Sequence, residues 1–427
     1  MSCSEWKIIK FEESGLEIED GDRGKNYPKK SELLSQGYCP FLNNKNILDD
    51  KINFDEVEFI TKQKDELLRK GKIKVGDIVL TTRGSVGNVG LFHENLRFKQ
   101  ARINSGMVII RDNNEIFDIN YLYQLLKSPY MKQQYKSMST GTAQPQLPIK
   151  DIKKLNLIVP PLEEQEKISG ILSSLDNKIE LNNKMNKTLE EVAQSIFKRW
   201  FVDFEFPNED GLPYKSSGGE MVESELGMIP KGWEVKTIAD IGEVISGGTP
   251  STKNEDYYGG DISWITPKDL SGYDRKFITK GERSITELGL QKSSAKLLPK
   301  GTVLFSSRAP IGYVAISDKE VCTNQGFKSI VCNTEIMNNN YVYYFLKFNK
   351  KNIENVSSGS TFKEISGTHM KNFKIIVPNK DILDNFNKII ISYDGVLSKN
   401  YEEIDNLTEI KDTLLTKLMN GEIILNN

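Results

Sequence analysis

The stretch LEEQEKISGILSSLDNKIELNNKMNKTLEEVAQ, which opens residues 162–203, constrains this chain more than any other feature. Alternating steps of four and three pick out Ile168, Leu172, Leu175, Ile179, Asn182, Asn186, Leu189, Ala193, Ile196 and Trp200. Eight of these ten positions are apolar, which is the narrow seam of a coiled coil rather than the wider face of a globular helix. Pro160-Pro161 sets the start, acidic Glu163, Glu164 and Glu166 suit the positive end of the helix dipole, and Pro207 closes the segment. Such a helix is about 60 Å long, too long for one element of a compact core, so it needs a partner.

The partner lies in the same chain. The heptad returns 218 residues later as Phe386, Ile390, Tyr393, Leu397, Asn400, Ile404, Leu407, Lys411, Leu414 and Leu418, with Asn400 in the slot of Asn182. Both asparagines sit near the midpoints of their helices, where pairing could bring them together. A buried seam asparagine fixes register at some cost in stability; the alternative is that each points to water.

Charge separates the helices from the rest. Residues 162–206 carry 6 basic and 9 acidic side chains and residues 379–427 carry 5 and 9, so the helices hold −7 and the remainder +5. Residues 62–111 have 11 basic and 4 acidic side chains, and 275–308 have 8 and 2. Charge runs are ordinarily solvated surface, yet two basic globular regions joined by acidic rods suit two contacts with a polyanion. Four cysteines without a CxxC spacing and only two histidines argue against a zinc site or a disulfide framework. No leader pattern opens the chain and no apolar run of about 18 residues occurs, so a cytoplasmic, reduced protein with no membrane contact is expected.

Taken in order, residues 1–160 read as a mixed α and β domain, 161–206 as the first long helix, 207–378 as a linker and second domain, and 379–427 as the second long helix. SEWKIIKFEE, GYCPFLNNKNI, RINSGMVIIR and LNLIVP read as strands, YLYQLLKSPYMKQQYKSM as helix interrupted at Pro129. KVGDIVLTTRGSVGNVGLF reads as strand, Gly-rich turn, strand. Its GSVGNVG lacks the Lys-Ser/Thr ending of a phosphate loop and no helix pattern follows, which favours a hairpin turn. The Pro/Gly/Ser-rich residues 204–232 mark a connection and a domain boundary.

Residues 233–378 then repeat the first domain in outline. Trp6 matches Trp233, CPFLNNKNI matches ISWITPKDL, KVGDIVLTTRGSVG matches PKGTVLFSSRAPIG, ARINSG matches CTNQGF, STGTAQPQLP matches SSGSTFKEIS, and LNLIVPP matches FKIIVPN. The fold expected is α+β: two similar globular domains separated by two long helices that form an antiparallel coiled coil, with a pseudo-twofold internal repeat.

At this point the chain resembles the specificity subunit of a type I restriction–modification enzyme. The resemblance is carried by SELGMIPKGWEV, ISGGTPST, SWITPKDLSG, ERSITELGLQKSSAKLLPKGTVLFSSRAPIGYVAI, TNQGFKSI, SSGSTFKEIS and IIVP in the second half. In the first half it is carried by IVPPLEEQEKISGILSSLDNKIELN and FKRWFVDFEFP. It implies two target-recognition domains, each reading half of a split sequence in double-stranded DNA. The helices would set the gap and dock two modification (methyltransferase) subunits, to which ATP-driven restriction subunits join. The chain itself would bind no cofactor and catalyse nothing; the complex would use S-adenosylmethionine, ATP and Mg. No GK[ST] phosphate loop and no NPP[FY] motif occurs in the chain.

Base edges call for Arg or Lys toward guanine and Asn or Gln toward adenine, with hydroxyls as adaptable partners, while phosphates take cations and hydroxyls. On that chemistry the candidate DNA contacts are Arg83, Lys99, Arg102, Thr142, Gln144 and Gln146 in the first domain, with Asn43 and Lys45 as second choices. In the second they are Thr249, Ser251, Thr266, Lys268, Arg308, Ser360, Thr361 and Lys363; Gln325 could read DNA or sit in a buried turn. Arg83 and Arg308, just after a strand and before a Gly turn, could equally brace their loops. Phe197, Phe201, Phe204 and Phe206 form an aromatic cluster that either docks a modification subunit or packs onto a neighbouring globule.

Two other classes fit the same residues. One is a stand-alone DNA-binding protein, or the specificity chain of a different restriction system. The other is a coiled-coil scaffold whose globules bind protein.

Overall fold

The computed structural model describes residues 6–141, 144–308, 310–357 and 363–419. Two unbroken 40-residue helices, Leu162–Phe201 and Lys380–Met419, coincide with the heptads. Every described seam position on both is buried or half-buried, as an apolar stripe recurring each 3.5 residues requires. The chain forms two compact units, residues 1–181 with 405–427, and residues 182–404. Each unit takes half of each helix, so the units cut across the four segments read from the sequence.

Inside both units the helices pair antiparallel. Asp176 meets Lys411 in the first unit. In the second, Asn182 meets Glu403, Asn186 meets Asn400, and the rings of Phe197, Trp200 and Phe201 surround Phe386. Residue numbers fall on one helix as they rise on the other. Asn182 and Asn400 are both buried in the seam, but they do not meet each other. Asn400 donates to Asn186 Oδ1 at 2.8 Å and Asn182 donates to Glu403 at 2.8 Å, a turn away from the expected match.

The first unit's globular part holds two four-stranded sheets. One runs in the order Glu58–Ile60, Cys39–Leu42, Ala101–Ile103, Lys72–Ile73, and the other Glu17–Asp20, Met107–Arg111, Ile78–Thr81, Val89–Leu91. RINSGMVIIR is therefore two strands in different sheets, broken where Gly106 follows Asn104 in a turn closed by Asn104 Oδ1. Lys7–Lys10 pairs antiparallel with Asn156–Val159, which brings the chain's start to the foot of the first long helix. There Trp6 donates to Glu164 at 2.6 Å. Pro129 begins a new helix, Pro129–Met138, capped by Ser128, as its fixed φ and missing N–H favour.

The second unit repeats this plan. Glu234–Thr237 pairs with Lys374–Val377 as Lys7–Lys10 pairs with Asn156–Val159. The parallel pair Ala101–Ile103 with Cys39–Leu42 returns as Cys322–Thr323 with Tyr258–Ile265. Tyr121 Oη donates to Ile158 O and Tyr341 Oη to Ile376 O, at 2.9 and 2.7 Å. These registers align ARINSG with VCTNQG, one residue earlier than the match read from the sequence.

Residues 204–232, read as a connection, pack within the second unit. Phe206 is buried and stacks on Trp233 and Tyr214, and Met221–Ser224 with Gly227–Pro230 forms a hairpin, all within the second unit. Phe197 and Phe201 are equally part of that unit's core, packed on Tyr341 and Phe386, with half-buried Phe204 against Trp233. Of the two readings of this cluster, packing holds for Phe197 and Phe201, for which the expected docking surface is corrected, while Phe204 is only half-buried. Tyr341 and Phe386, far away in sequence, lie over the Phe197 and Phe201 rings, whereas Phe204 packs on Trp233.

Each globular part is also tied to the helices by charge. Asp176 accepts from Gln124, Lys127 and Lys411 at 2.8, 2.7 and 2.9 Å. Glu190 accepts from Lys347, Tyr344 and Tyr343 at 2.7, 2.9 and 3.2 Å, while buried Lys276 meets Asp394 at 2.6 Å. Such pairs cost desolvation but are severely destabilising to break, so they specify how the surrounding elements dock.

Candidate nucleic-acid interface

In both units the same backbone frame gathers the loops that carry the candidate DNA contacts. In the first unit Thr82 N and its hydroxyl donate to Gly106 O at 2.8 and 3.0 Å, and Leu147 N donates to Thr82 O at 2.9 Å. In the second, Ser307 N donates to Gly326 O at 2.7 Å and Ile365 N to Ser307 O at 3.1 Å. The Asn104–Gly106 turn recurs as Asn324–Gly326, each closed by the asparagine carboxamide on the glycine N–H, at 2.9 and 2.8 Å. The Gly87 N bond to Thr81 O recurs as Gly312 N to Ser306 O, both 3.0 Å. The Gly-rich segments are hairpin turns, not phosphate loops.

This frame sets Arg83 opposite Gln146, and Arg308 opposite Glu364, each in an isolated antiparallel bridge. Around Arg83 the loop is braced from three sides: Gly84 N donates to Pro145 O at 3.0 Å, Thr140 and Gln146 exchange backbone bonds at 2.9 Å, and Asn44 Nδ2 donates to Arg83 O. Gln144 and Gln146 are exposed and Arg83 is half-buried. Asn43 caps the short 3-10 turn Asn44–Asn46 by accepting from Lys45 N, while Lys45 itself is exposed.

Around Arg308 the neighbours differ. Its guanidinium lies 3.6 Å from Glu364, and Lys328 lies 3.7 Å from the other oxygen of the same carboxylate. Burial holds the Lys328 ammonium below the ordinary lysine value, with Glu364 opposing. Thr249 is half-buried and donates its hydroxyl to Gln325 Oε1, and Gln325 is exposed rather than buried in a turn. Ser251 and Lys363 are exposed. Lys268 is exposed in an ion pair with Glu282 at 2.7 Å. Thr142, Ser360 and Thr361 lie outside the described residues.

Two expected contacts, Arg102 and Lys99, do not join these clusters, and a third, Thr266, lies beside the Asn324–Gly326 turn with its hydroxyl engaged. Arg102 is buried: its guanidinium pairs with Asp65 and donates to the Lys70, Asp65 and Leu68 carbonyls at 2.8, 2.6 and 2.9 Å. Burial pushes the Asp65 carboxyl up, but hydrogen bonds from Lys72 and Arg102 overcome it and hold the group below its ordinary value. Arg102 is therefore a structural cation, and its expected role at DNA is corrected. Lys99, exposed, follows the strand Val89–Leu91 at the end of the sheet away from Arg83, and its ammonium is turned onto the Glu94 carbonyl. The Thr266 hydroxyl is taken by Asp269 at 2.6 Å in a capping box that starts the turn Pro267–Leu270. Much of the basic run over residues 62–111 is likewise spent internally, in Lys64–Glu32, Lys72–Asp65 and Arg111–Asp77.

Sequence reasoning missed Asn44, Lys328 and Glu364. The signal for Glu364 was available, since matching STGTAQPQLP to SSGSTFKEIS sets it in the place of Gln146.

The repeated frame with exchanged side chains is matched by comparison. The sequence matches the family described as type I restriction modification DNA specificity domain twice, over residues 4–191 and 230–415. The chain belongs to this family. A relative from Haemophilus influenzae, the type I restriction enzyme HindI specificity subunit, is 28% identical over 94% of this chain and 98% of its own length. The MjaIX specificity subunit of Methanocaldococcus jannaschii is 42% identical over 45% of this chain; that match spans 44% of the relative. In fold, the chain is similar to the crystal structure of a type I restriction–modification S subunit from M. genitalium, with a TM-score of 0.58 and 16% identity over 98% of this chain and 97% of that one. The fold is thus that of a type I specificity subunit with two target-recognition domains. Among the described residues no cluster of three or more His, Cys, Asp or Glu could hold a metal ion, and no helix is long and apolar enough to cross a membrane.

Proposed function

We propose that the chain is the non-catalytic DNA-reading part of a type I restriction–modification complex in the cytoplasm. The first domain reads one half-site with Arg83, Gln144 and Gln146, together with Thr142. The second reads the other with Arg308, Thr249, Ser251, Lys268 and Lys363, together with Ser360 and Thr361. One observation carries this reading: the same backbone hydrogen-bonded frame, built twice, presents different side chains at equivalent points. A frame conserved between repeats supports a shared task, and the exchange of side chains supports two different base sequences as its objects.

The paired helices set the interval between half-sites, and two modification subunits dock on the chain. Those subunits use S-adenosylmethionine, and restriction subunits use ATP and Mg. For docking, the apolar groove of the second unit offers Leu226, Met228 and Phe348, each about half exposed beside buried Phe201. The test is methylation by the complex of this chain with its modification partner, on duplexes whose two half-sites are separated by different gaps. Removing one heptad from each helix shortens the strut by about 10 Å, or about three base pairs. The preferred gap is expected to shrink while each half-site stays the same; an unchanged gap preference overturns the spacing role. A stand-alone reader would bind specifically without the partner, and a protein scaffold would show no steep salt dependence with duplex.

A further inference from the structure

The two frames differ in one respect that packing does not explain. The registers place Lys328 where the first domain has Val108: Val108 and Ile110 lie on the strand paired with Ile78–Thr81, and Lys328 and Ile330 lie on the strand paired with Val303–Phe305. Val108 is 1% exposed in the core, and Lys328, at 8%, is also buried but carries a charge that reaches half-exposed Glu364. The opposing loop changes with it, from neutral Gln146 to acidic Glu364. The fold does not need this pair, because the first domain is built without it. A buried ion pair is in general no more stabilising than apolar residues of similar volume. A lysine in a strand core and a carboxylate on the loop above it therefore call for a role at the surface.

The geometry supplies one. Glu364 is half-exposed and lies between Arg308 at 3.6 Å and Lys328 at 3.7 Å, both within ion-pair range and beyond hydrogen-bond length. Its oxygens are neutralised from below and from the side, yet they keep lone pairs to offer. An ionised carboxylate only accepts hydrogen bonds. Among base edges in the major groove, the group that suits it is the exocyclic amine of cytosine, whereas a glutamine both donates and accepts and pairs with adenine. A bare carboxylate would be repelled by the phosphates; one sandwiched between two cations is not.

We propose that Glu364, held between Arg308 and Lys328, is a specificity-determining residue of the second domain that accepts a hydrogen bond from the N4 amine of a cytosine. Lys328 acts through it as a positioning residue. Gln146 occupies the equivalent point of the first domain and meets a different base. This inference rests on the DNA-reading function proposed above.

The experiment uses the complex with its modification partner and a duplex library carrying all four bases at every half-site position, read as initial methylation rates. The wild-type complex must first show two sequence-dependent half-sites; if it shows none, DNA reading itself fails, independently of Glu364. With reading established, Glu364→Gln is expected to relax or redirect the preference at a single cytosine position of one half-site by about tenfold or more. The other half-site, which Gln146→Ala alters, should be untouched. The double variant Lys328→Val with Glu364→Gln recreates the neutral pair that the first domain already tolerates, so it should fold and show the same single-position change. A uniform fall in rate at all positions, or no change at any position in both variants, overturns the proposal.

Discussion

Asp176 offers the sharpest energetic test, because three donors converge on it within the first unit, Gln124 and Lys127 from the helix Ile119–Leu126 and its C-cap, and Lys411 from the second long helix. Burial raises its carboxyl, but Lys127, Gln124 and Lys411 outweigh burial and hold it down at about 2 against an ordinary 3.8. That difference corresponds to about 2 kcal/mol of folding stability at neutral pH. Because the folded value is the lower one, the contribution is complete above pH 4 to 5 and is lost as the pH falls through about 2. Asp176→Asn keeps the shape and removes the charge, leaving Lys127, whose ammonium burial already disfavours, beside Lys411 with only Asp50 to oppose it. The expected loss is therefore at least about 2 kcal/mol, and up to about 5 where an uncompensated buried charge persists. Amide hydrogen exchange over the helix Ile119–Leu126 reads it directly, with peptides of the second unit as an internal reference. Exchange in the variant should accelerate at pH 7 by roughly thirtyfold or more, which is about 2 kcal/mol. The difference from wild type should shrink in denaturation at pH 2, and Lys127→Met should restore part of the loss in a double-mutant cycle. Equal protection in wild type and variant at pH 7, or a deficit undiminished at pH 2, refutes the reasoning.

Other outcomes follow from the same contacts. Arg102→Met leaves Asp65 with only Lys72 for charge and should cost about 3 kcal/mol or more in urea denaturation, without a selective change in half-site preference. Phe201→Ala should lower the unfolding temperature through a core loss of about 3 to 5 kcal/mol. Leu226→Ser with Met228→Ser should leave unfolding unchanged and reduce co-purification of the modification subunit. Asn186→Leu with Asn400→Leu should raise the thermal stability of the helix pair while loosening its register, seen as a broadened range of methylated gaps. Gln146→Ala should change base preference in one half-site only, read by the same methylation library.

What could be read from the sequence was whatever repeats at short range. A heptad is a local period, so both long helices and the duplication were legible, and the Pro129 break and the Gly-rich hairpin followed from backbone chemistry alone. What escaped was decided by partners far along the chain. Arg102 looked like a DNA contact because its counter-ion, Asp65, is 37 residues away. Phe197 and Phe201 looked like a docking patch because Tyr341 and Phe386, which cover them, lie 140 residues or more later. The asparagines carried a period but not a register. That is fixed by side chains at separate points along the pair, Asp176 with Lys411 in one unit and Phe386 among three aromatic rings in the other. Glu364 failed for a related reason. An acid on a loop proposed to meet DNA reads as repulsive until its cations are seen, and Lys328 lies 36 residues away in sequence. In a duplicated chain such departures are the informative positions. Where one copy keeps a valine and a glutamine and the other a buried lysine and a glutamate on the same frame, the fold accommodates either pair, and the exchanged positions are the ones to test for function.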